Sequence, residues 1–239
     1  MTGLRPRVST GVKGLDELIG GGFEKGKAYL VTGETGTGKT VFSLQFLLDG
    51  ISKGEPGIYA TMDQTPDHII EDAASFGWDV EEHVQEKEFI FLDATRPGKG
   101  EDSSFIRQSF FSELKTYTHE YEGRRVVLDP IVPFASVSGD YIDIRENVRK
   151  IIRTLEENHC TTIITTEIPP GSSALSTLGV EELFVHGIIV LGLHRQINGL
   201  SRTLLVRKMR GTPIDLTYYT YSFVPNEGIV IMGPSISEY

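Results

Sequence analysis

Short apolar runs alternate with segments of helical spacing along most of the chain. Five runs have the composition of buried strands, at residues 27–32, 58–62, 88–93, 125–129 and 161–167. The segments that follow have apolar spacing typical of helices, and the predicted helices cover residues 40–48, 66–76, 103–121 and 142–158. Three further strands, at residues 187–193, 202–209 and 228–232, then follow one another with turns between them.

This order of elements predicts the fold class. Strands that alternate with helices form parallel sheets, whereas consecutive strands form antiparallel ones. We therefore expect an α/β protein with a mainly parallel twisted sheet flanked by helices and antiparallel strands at its C-terminal edge. Residues 1–239 contain no linker, repeat or low-complexity tract, so a single domain is expected.

The sequence GETGTGKT at residues 33–40 matches a phosphate-binding loop. It follows a predicted strand and begins a predicted helix, which is the context that such a loop requires. Glycines let successive amides point at phosphate oxygens, and the helix N-terminus adds positive potential there. The alternative, a glycine-rich turn with a solvated lysine, is disfavoured by the flanking elements. The predicted nucleotide-binding residues are Gly33, Glu34, Thr35, Gly36, Thr37, Gly38, Lys39, Thr40, Val41 and Asn226.

Two residues are predicted to hold Mg²⁺ beside the phosphates. The Thr40 hydroxyl ends the loop motif, and Asp129 ends a buried strand, as the Walker B carboxylate of a nucleoside triphosphatase does. Ligands bind at the carboxyl ends of strands in open α/β sheets. A strand-end aspartate can also act only as a cap, and the upstream phosphate loop favours the metal role. We expect Lys39 to contact the outer two phosphates.

Composition narrows the class of protein. The chain has 39% apolar and 23% charged residues, no apolar run long enough for a membrane span, and no apolar signal peptide near its N-terminus. Its single cysteine, Cys160, excludes an internal disulfide, so a cytoplasmic location is expected. The net charge of −10 counts against nucleic-acid binding through the overall field.

Several motifs in a fixed order resemble the KaiC-like branch of the RecA superfamily of ATPases. The resemblance extends from residue 8 to 231 and rests on these segments: STG at 9–11, GLD at 14–16, the phosphate loop, VVLDPI at 126–131, TTE at 165–167, GVEE at 179–182 and KMRGT at 208–212. It implies a RecA-like P-loop NTPase core that binds ATP with Mg²⁺. It also implies a homo-oligomeric ring, usually hexameric, with nucleotide between neighbouring subunits.

The resemblance also assigns catalytic residues. Lys208 and Arg210 match the pair that reaches the γ-phosphate of a neighbouring subunit, although a solvated basic strand end is the alternative. Asp63 and Gln64 stand where the family has two glutamates, one of which polarises the attacking water. The shorter aspartate predicts slow turnover, since a misplacement of about 1 Å can cost on the order of 10²-fold.

Two further positions complete the expected site. Glu167 follows a strand and is expected to sense the γ-phosphate. Asn226 corresponds to a position that contacts the base or ribose, although the sequence Asn-Glu-Gly is equally typical of a turn.

Three functions are compatible with these residues. The first is a slow Mg²⁺-ATPase with a site shared between subunits, binding ATP and ADP. The second is a nucleotide-dependent assembly or signalling switch with little hydrolysis, acting on an unidentified protein partner. The third is a recombinase-related DNA binder, and it is disfavoured because loops 132–143 and 168–182 contain acidic residues but no lysine or arginine.

Overall fold

Helices and strands alternate through the first two thirds of the computed structural model, which describes residues 5–95, 103–120, 124–135, 140–169, 171–196 and 199–235. The helices are α1 (Leu15–Leu18), α2 (Lys39–Ile51), α3 (Pro66–Ser75), α4 (Val80–Gln85), α5 (Ser103–Glu120), α6 (Val132–Ala135), α7 (Tyr141–Glu157) and α8 (Glu181–Phe184). The strands are β1 (Arg7–Val8), β2 (Phe23–Glu24), β3 (Ala28–Gly33), β4 (Gly57–Thr61), β5 (Phe89–Asp93), β6 (Arg125–Asp129), β7 (Thr161–Glu167), β8 (Gly187–Gln196), β9 (Gly199–Met209), β10 (Tyr218–Val224) and β11 (Gly228–Pro234).

Nine of these strands form one sheet, in the order β11-β10-β9-β8-β3-β7-β6-β4-β5. The six strands from β8 to β5 in this order are parallel, and β9, β10 and β11 continue the sheet with antiparallel pairing. The predicted fold class is therefore confirmed. Within the described ranges, no helix is both long and apolar enough to cross a membrane.

The register brings the carboxyl ends of four parallel strands to one edge. Gly33 of β3 lies opposite Glu167 of β7, and Thr61 of β4 lies opposite Asp129 of β6. Because side chains at the ends of neighbouring strands converge there, this edge is where a ligand site is expected.

Helices cover both faces of the sheet. In β3, Tyr29 and Val31 pack in a core with α2, whereas Ala28 and Leu30 pack in a second core with α5 and α7. Successive strand residues point to opposite faces, so a strand buried on both faces is apolar throughout. This explains the continuous apolar runs in the sequence.

Several short or weakly patterned elements were not predicted, and β10 and α4 are two of them. In β10, which has the sequence YYTYSFV, only Tyr221 is buried, so the strand lacks the apolar run that marks the others. Helix α4 is a short helix in which only Val80 is buried, and the Asp79 side chain caps it by accepting a hydrogen bond from the Glu82 amide at 3.0 Å. The end of the predicted helix 103–121 lies partly outside the described residues.

The buried amide of Gln45 connects α2 with segments that are distant in sequence. Its Nε2 donates to the carbonyl oxygens of Gly11 (3.2 Å), Glu227 (2.7 Å) and Ile229 (3.2 Å), and its Oε1 accepts from the Ile229 amide at 2.7 Å. Gln45 therefore fixes both the N-terminal segment and the β10–β11 hairpin against the helix that follows the phosphate loop.

Arg125 makes a second such connection. Its buried guanidinium lies 3.0 Å from the Asp49 carboxylate and 2.8 Å from that of Glu55, and it donates to the carbonyl oxygens of Ser9 and Phe46. Because buried charges are tolerated only when paired, these partners explain how the first residue of β6 can be an arginine.

Candidate active site

The loop between β3 and α2 requires its glycines. Gly36 and Gly38 have φ angles of 82° and 94°, in the left-handed region that side chains disfavour. A Cβ atom at Gly38 would also lie 2.6 Å from the ring of Phe223, and one at Gly33 would collide with the carbonyl oxygen of Leu191. These contacts hold the loop between β8 and β10.

The β10–β11 hairpin supports the loop from behind. The Tyr221 hydroxyl donates to the carbonyl oxygen of Thr37, and the Thr37 hydroxyl donates to the carbonyl oxygen of Glu34 at 2.7 Å. Thr37 is fully buried. The Thr37 side chain therefore shapes the turn, and Thr37 is not among the residues that line the pocket. Its contact with nucleotide stays a prediction.

Lys39 lies inside the loop. Its Nζ donates to the carbonyl oxygens of Gly33 (2.9 Å) and Glu34 (3.1 Å) and is 3.8 Å from a carboxylate oxygen of Glu167. Burial lowers the pKa of Lys39 from its ordinary value, while the carboxylates of Glu167 and Asp129 oppose this shift. The ammonium group is therefore held by carbonyl dipoles that phosphate oxygens can replace.

The carboxylate of Asp129 accepts hydrogen bonds from three hydroxyl groups. Thr40 Oγ1 donates to its Oδ2 at 3.2 Å, Tyr59 donates to the same oxygen, and Thr165 donates to Oδ1. Burial, and then the nearby Asp129 charge, raise the pKa of Tyr59 well above its ordinary value, so this phenol stays a donor. The two predicted metal ligands are thus adjacent, and their oxygen atoms are the donors that Mg²⁺ prefers.

A pocket of about 490 Å³ opens beside this cluster. Ten of the predicted site residues line it: Thr35, Gly36, Gly38, Lys39, Thr40, Val41, Asp63, Gln64, Asp129 and Glu167. The sequence reasoning missed six further lining residues: Leu44, Asp72, Ser75, Phe76, Pro130 and Phe223. The volume is typical of a pocket that binds a small molecule.

Asp63 and Gln64 lie at the pocket wall after β4. Burial raises the pKa of Asp63 above its ordinary value, and the charges of Asp129 and Glu167 add to the shift. Thr65, not Asp63, is the N-cap of α3, so the Asp63 side chain does not cap that helix. A carboxylate with a raised pKa is a stronger base, which suits a group that orients water.

Glu167 ends β7 directly beside the loop. Its Oε1 accepts a hydrogen bond from the Thr35 hydroxyl at 3.1 Å and is the atom close to Lys39 Nζ. A ligand that binds Lys39 therefore changes the electrostatic surroundings of Glu167 at the same time.

Lys208 and Arg210 lie far from this pocket. Strand β9 is antiparallel to β8, so that Lys208 lies opposite Ile188, which itself lies opposite Leu30 of β3. Leu30 precedes Gly33 by three residues, or about 10 Å along the strand. Arg210 follows Lys208 and is therefore still farther from the carboxyl edge of the parallel strands.

Asn226 is placed in the turn between β10 and β11. It has a φ of 63°, its amide donates to the carbonyl oxygen of Phe76 at 2.8 Å, and its carbonyl oxygen accepts from Trp78 Nε1 at 3.2 Å. It is not among the residues that line the pocket. Phe76 and Phe223 line it instead, with ring centroids 5.7 Å apart in an edge-to-face arrangement.

The family model described as "ATPase: KaiC" matches residues 8–236. The chain belongs to the KaiC ATPase family. Membership supports ATP binding at the loop described above. It agrees with the resemblance seen in the sequence motifs, which is thereby confirmed.

Two similar proteins differ in how much of their own length this chain matches. A UPF0273 protein of Pyrococcus furiosus is 34% identical over 238 residues, covering 94% of this chain and 93% of that protein. The circadian clock oscillator protein KaiC of Prochlorococcus marinus subsp. pastoris is 34% identical over 210 residues, covering 86% of this chain but 41% of that protein. The chain therefore spans less than half the length of this clock protein.

A solved structure gives the same result for the fold. The crystal structure of a KaiC-like protein from the hyperthermophilic archaeon Pyrococcus horikoshii OT3 has a TM-score of 0.84 and 36% sequence identity, and the match covers 96% of this chain and 100% of that chain. The RecA-like P-loop fold is thus shared with a KaiC-like protein over its whole length.

Proposed function

We propose that this protein is a slow Mg²⁺-dependent ATPase whose active site is completed by a neighbouring subunit in a homo-oligomeric ring, hexameric by analogy with its family. The observation that carries this proposal is the division of the candidate catalytic and metal-binding groups between two edges of the sheet. Lys39, Thr40 and Asp129 converge at one edge, whereas Lys208 and Arg210 lie toward the other.

The first edge can bind and orient Mg²⁺-ATP. Loop amides and Lys39 bind the phosphates, and Thr40 and Asp129 would hold Mg²⁺, which would neutralise phosphate charge. Asp63 orients the attacking water and Gln64 assists by hydrogen bonding. Glu167 responds to the γ-phosphate through its contacts with the loop.

The second edge supplies what this pocket lacks. Charge that spreads over the transferred phosphoryl group is stabilised by guanidinium and ammonium groups. Arg210 and Lys208 carry such groups but cannot reach their own pocket, because they lie on the far side of β8, level with the earlier part of β3. A head-to-tail arrangement of subunits brings one edge against the other and closes a ring.

A mixing experiment tests the shared site. Lys39→Ala removes nucleotide binding and Arg210→Ala removes the trans cation, so each variant alone should be inactive. When the two are dissociated, mixed in equal amounts and reassembled, about a quarter of the heterologous interfaces combine an intact pocket with an intact arginine. ATPase activity should therefore reappear on mixing.

The control is the double variant Lys39→Ala/Arg210→Ala mixed with Arg210→Ala, which contains no intact arginine. Activity that does not return in the first mixture, although subunits exchange, would contradict the shared site. Full activity of Arg210→Ala alone would also contradict it, because loss of such an arginine is expected to cost about 10³–10⁵-fold.

A second function is favoured by the pair at the pocket wall. Asp63 and Gln64 replace the two glutamates that the family resemblance leads one to expect, which favours a switch whose assembly or partner binding depends on bound ATP. Single-turnover hydrolysis and size-exclusion chromatography with ATP or ADP separate the two functions. An assembly state that does not depend on the nucleotide would exclude the switch.

A further inference from the structure

Glu181, the first residue of α8, has a fully buried carboxylate. Its Oε2 accepts from the Ser176 hydroxyl at 2.8 Å and the Val180 amide at 3.0 Å, and its Oε1 accepts from the Thr166 hydroxyl at 3.2 Å and the Leu178 amide at 3.3 Å. All four donors are neutral. In the part of the chain that the structure describes, Glu181 makes no ion pair.

A buried charge that relies on neutral donors is costly, so its surroundings must be rigid to keep all four hydrogen bonds. These bonds connect α8 with the end of β7 and with the intervening loop. Thr177 adds to the connection, since its hydroxyl donates to the carbonyl oxygen of Glu167 at 2.8 Å. The orientation of α8 is therefore set from β7, next to the nucleotide pocket.

Two cationic side chains, Lys208 and Arg210, bind to main-chain carbonyl groups of α8 and the residue that follows it. Lys208 Nζ donates to the carbonyl oxygens of Glu182 (2.7 Å) and Val185 (2.8 Å), and the Arg210 guanidinium donates to that of Leu183 (3.1 Å). All three acceptors belong to α8 or the residue that follows it. Any rotation of α8 therefore moves the acceptors that orient both side chains.

We propose that Glu181 is a positioning residue that fixes α8 to β7 and thereby orients Lys208 and Arg210 toward the neighbouring subunit. This inference rests on the shared site proposed above. The tether begins at Thr166, one residue before Glu167, which contacts the loop of its own subunit. The tether therefore connects the nucleotide pocket of each subunit with Lys208 and Arg210 of the same subunit, which point toward its neighbour.

The test compares Glu181→Gln with Glu182→Gln. A glutamine at 181 has nearly the same shape, but its NH₂ group faces donors and cannot accept from them. Glu182→Gln removes the same charge from the same helix while keeping the carbonyl that binds Lys208. Labelling of Lys208 by an amine-reactive reagent, followed by mass spectrometry, measures its release without needing ATP hydrolysis.

We expect Glu181→Gln to label Lys208 about tenfold faster, the change expected when a hydrogen bond to a charged group is lost. Turnover should fall by about 10²-fold through misplaced cations, with nucleotide affinity unchanged. In an Arg210→Ala background most of this loss should disappear, because the two residues act through the same contact. Glu182→Gln should speed labelling only through ionisation, because burial lowers the pKa of Lys208 and the Glu182 charge opposes this shift. Its labelling rate should therefore equal that of the wild type once the pH is high enough to deprotonate the amine fully.

A second pair of variants covers the case in which Glu181→Gln does not fold. Thr166→Val removes one donor to the carboxylate and should release Lys208, whereas Thr166→Ser keeps the hydroxyl and should behave as the wild type. Lys208 labelling that is the same in Thr166→Val and Thr166→Ser, or turnover losses that multiply in the Glu181→Gln/Arg210→Ala variant, would overturn the inference. If Arg210→Ala alone keeps full turnover, the shared site fails, and the labelling comparison still decides the role of Glu181.

Discussion

Removal of the Tyr59 hydroxyl is expected to weaken Mg²⁺-dependent nucleotide binding specifically. Tyr59 is fully buried, and its hydroxyl donates to the Asp129 oxygen that also accepts from Thr40 at 3.2 Å. In Tyr59→Phe the ring remains but Asp129 loses one of its donors. A hydrogen bond to a charged group contributes about 1.5–3 kcal/mol. Loss of a group that orients a metal ligand typically reduces metal affinity by about 10–100-fold.

Isothermal titration calorimetry with ATP, in Mg²⁺ and in EDTA, measures this effect. In Tyr59→Phe, affinity in Mg²⁺ should fall by about 10–100-fold, while affinity in EDTA should change little. Tyr221→Phe is the matched control, because its buried hydroxyl donates to the Thr37 carbonyl oxygen and not to the carboxylate. That variant should reduce affinity by the same factor with and without Mg²⁺.

The result that would refute this reasoning is a Tyr59→Phe protein whose affinity gain from Mg²⁺ equals that of the wild type. Thr165→Val provides an independent check, since it removes the donor to the other oxygen of Asp129. If both variants keep the full effect of Mg²⁺, Asp129 does not hold the metal.

Three further predictions concern Arg125, Asp63 and Cys160. Arg125→Met should lower the free energy of unfolding by about 3 kcal/mol in urea titrations, because it leaves the carboxylates of Asp49 and Glu55 without their buried partner; a loss below about 1 kcal/mol would contradict this. Asp63→Glu should increase single-turnover hydrolysis by up to about 10²-fold, since it restores the missing methylene; an unchanged rate would exclude Asp63 as the water-orienting group. Burial raises the pKa of the Cys160 thiol to about 12, so at pH 9 iodoacetamide should modify it only in urea. The thiol ionises at a lower pH in the unfolded chain than in the folded protein. Its ionisation should therefore lower the free energy of unfolding above about pH 9 by roughly 1.4 kcal/mol per pH unit, and Cys160→Ala should remove this part of the pH dependence.

The phosphate loop was predictable because all of its residues are consecutive. The motif at residues 33–40 fixes its own geometry through glycine conformations and the following helix, and the structure has the strand–loop–helix arrangement expected from it. The pairing of Thr40 with Asp129 also followed from sequence, since both stand at ends of elements that a parallel sheet brings together.

The groups that sequence reasoning missed depend on register between distant strands. In the sequence, Tyr59 is an ordinary aromatic residue within an apolar strand. Its hydroxyl reaches Asp129 only because β4 pairs with β6. Phe223 lines the pocket because β10, which has no clear strand pattern, folds back behind the loop. Both contacts join residues that are far apart in sequence, so no short stretch of the sequence could indicate them.

The sequence also does not show where Lys208 and Arg210 lie relative to a neighbouring subunit. The motif KMRGT supplied Lys208 and Arg210 through family resemblance alone. The structure adds that both are bound by α8, which the sequence pattern does not reveal because these acceptors are main-chain atoms.

The support that β10 and β11 give to residues 37 and 38 has a consequence for synthesis of the chain. The phosphate loop leaves the ribosome early, but Tyr221 and Phe223 follow it by more than 180 residues. A nascent polypeptide that ends before residue 218 already carries every residue of the motif, yet it lacks the backing that shapes the loop. We therefore expect a newly made chain to bind nucleotide only after the final hairpin has left the ribosome, so ligand binding reports the last step of folding.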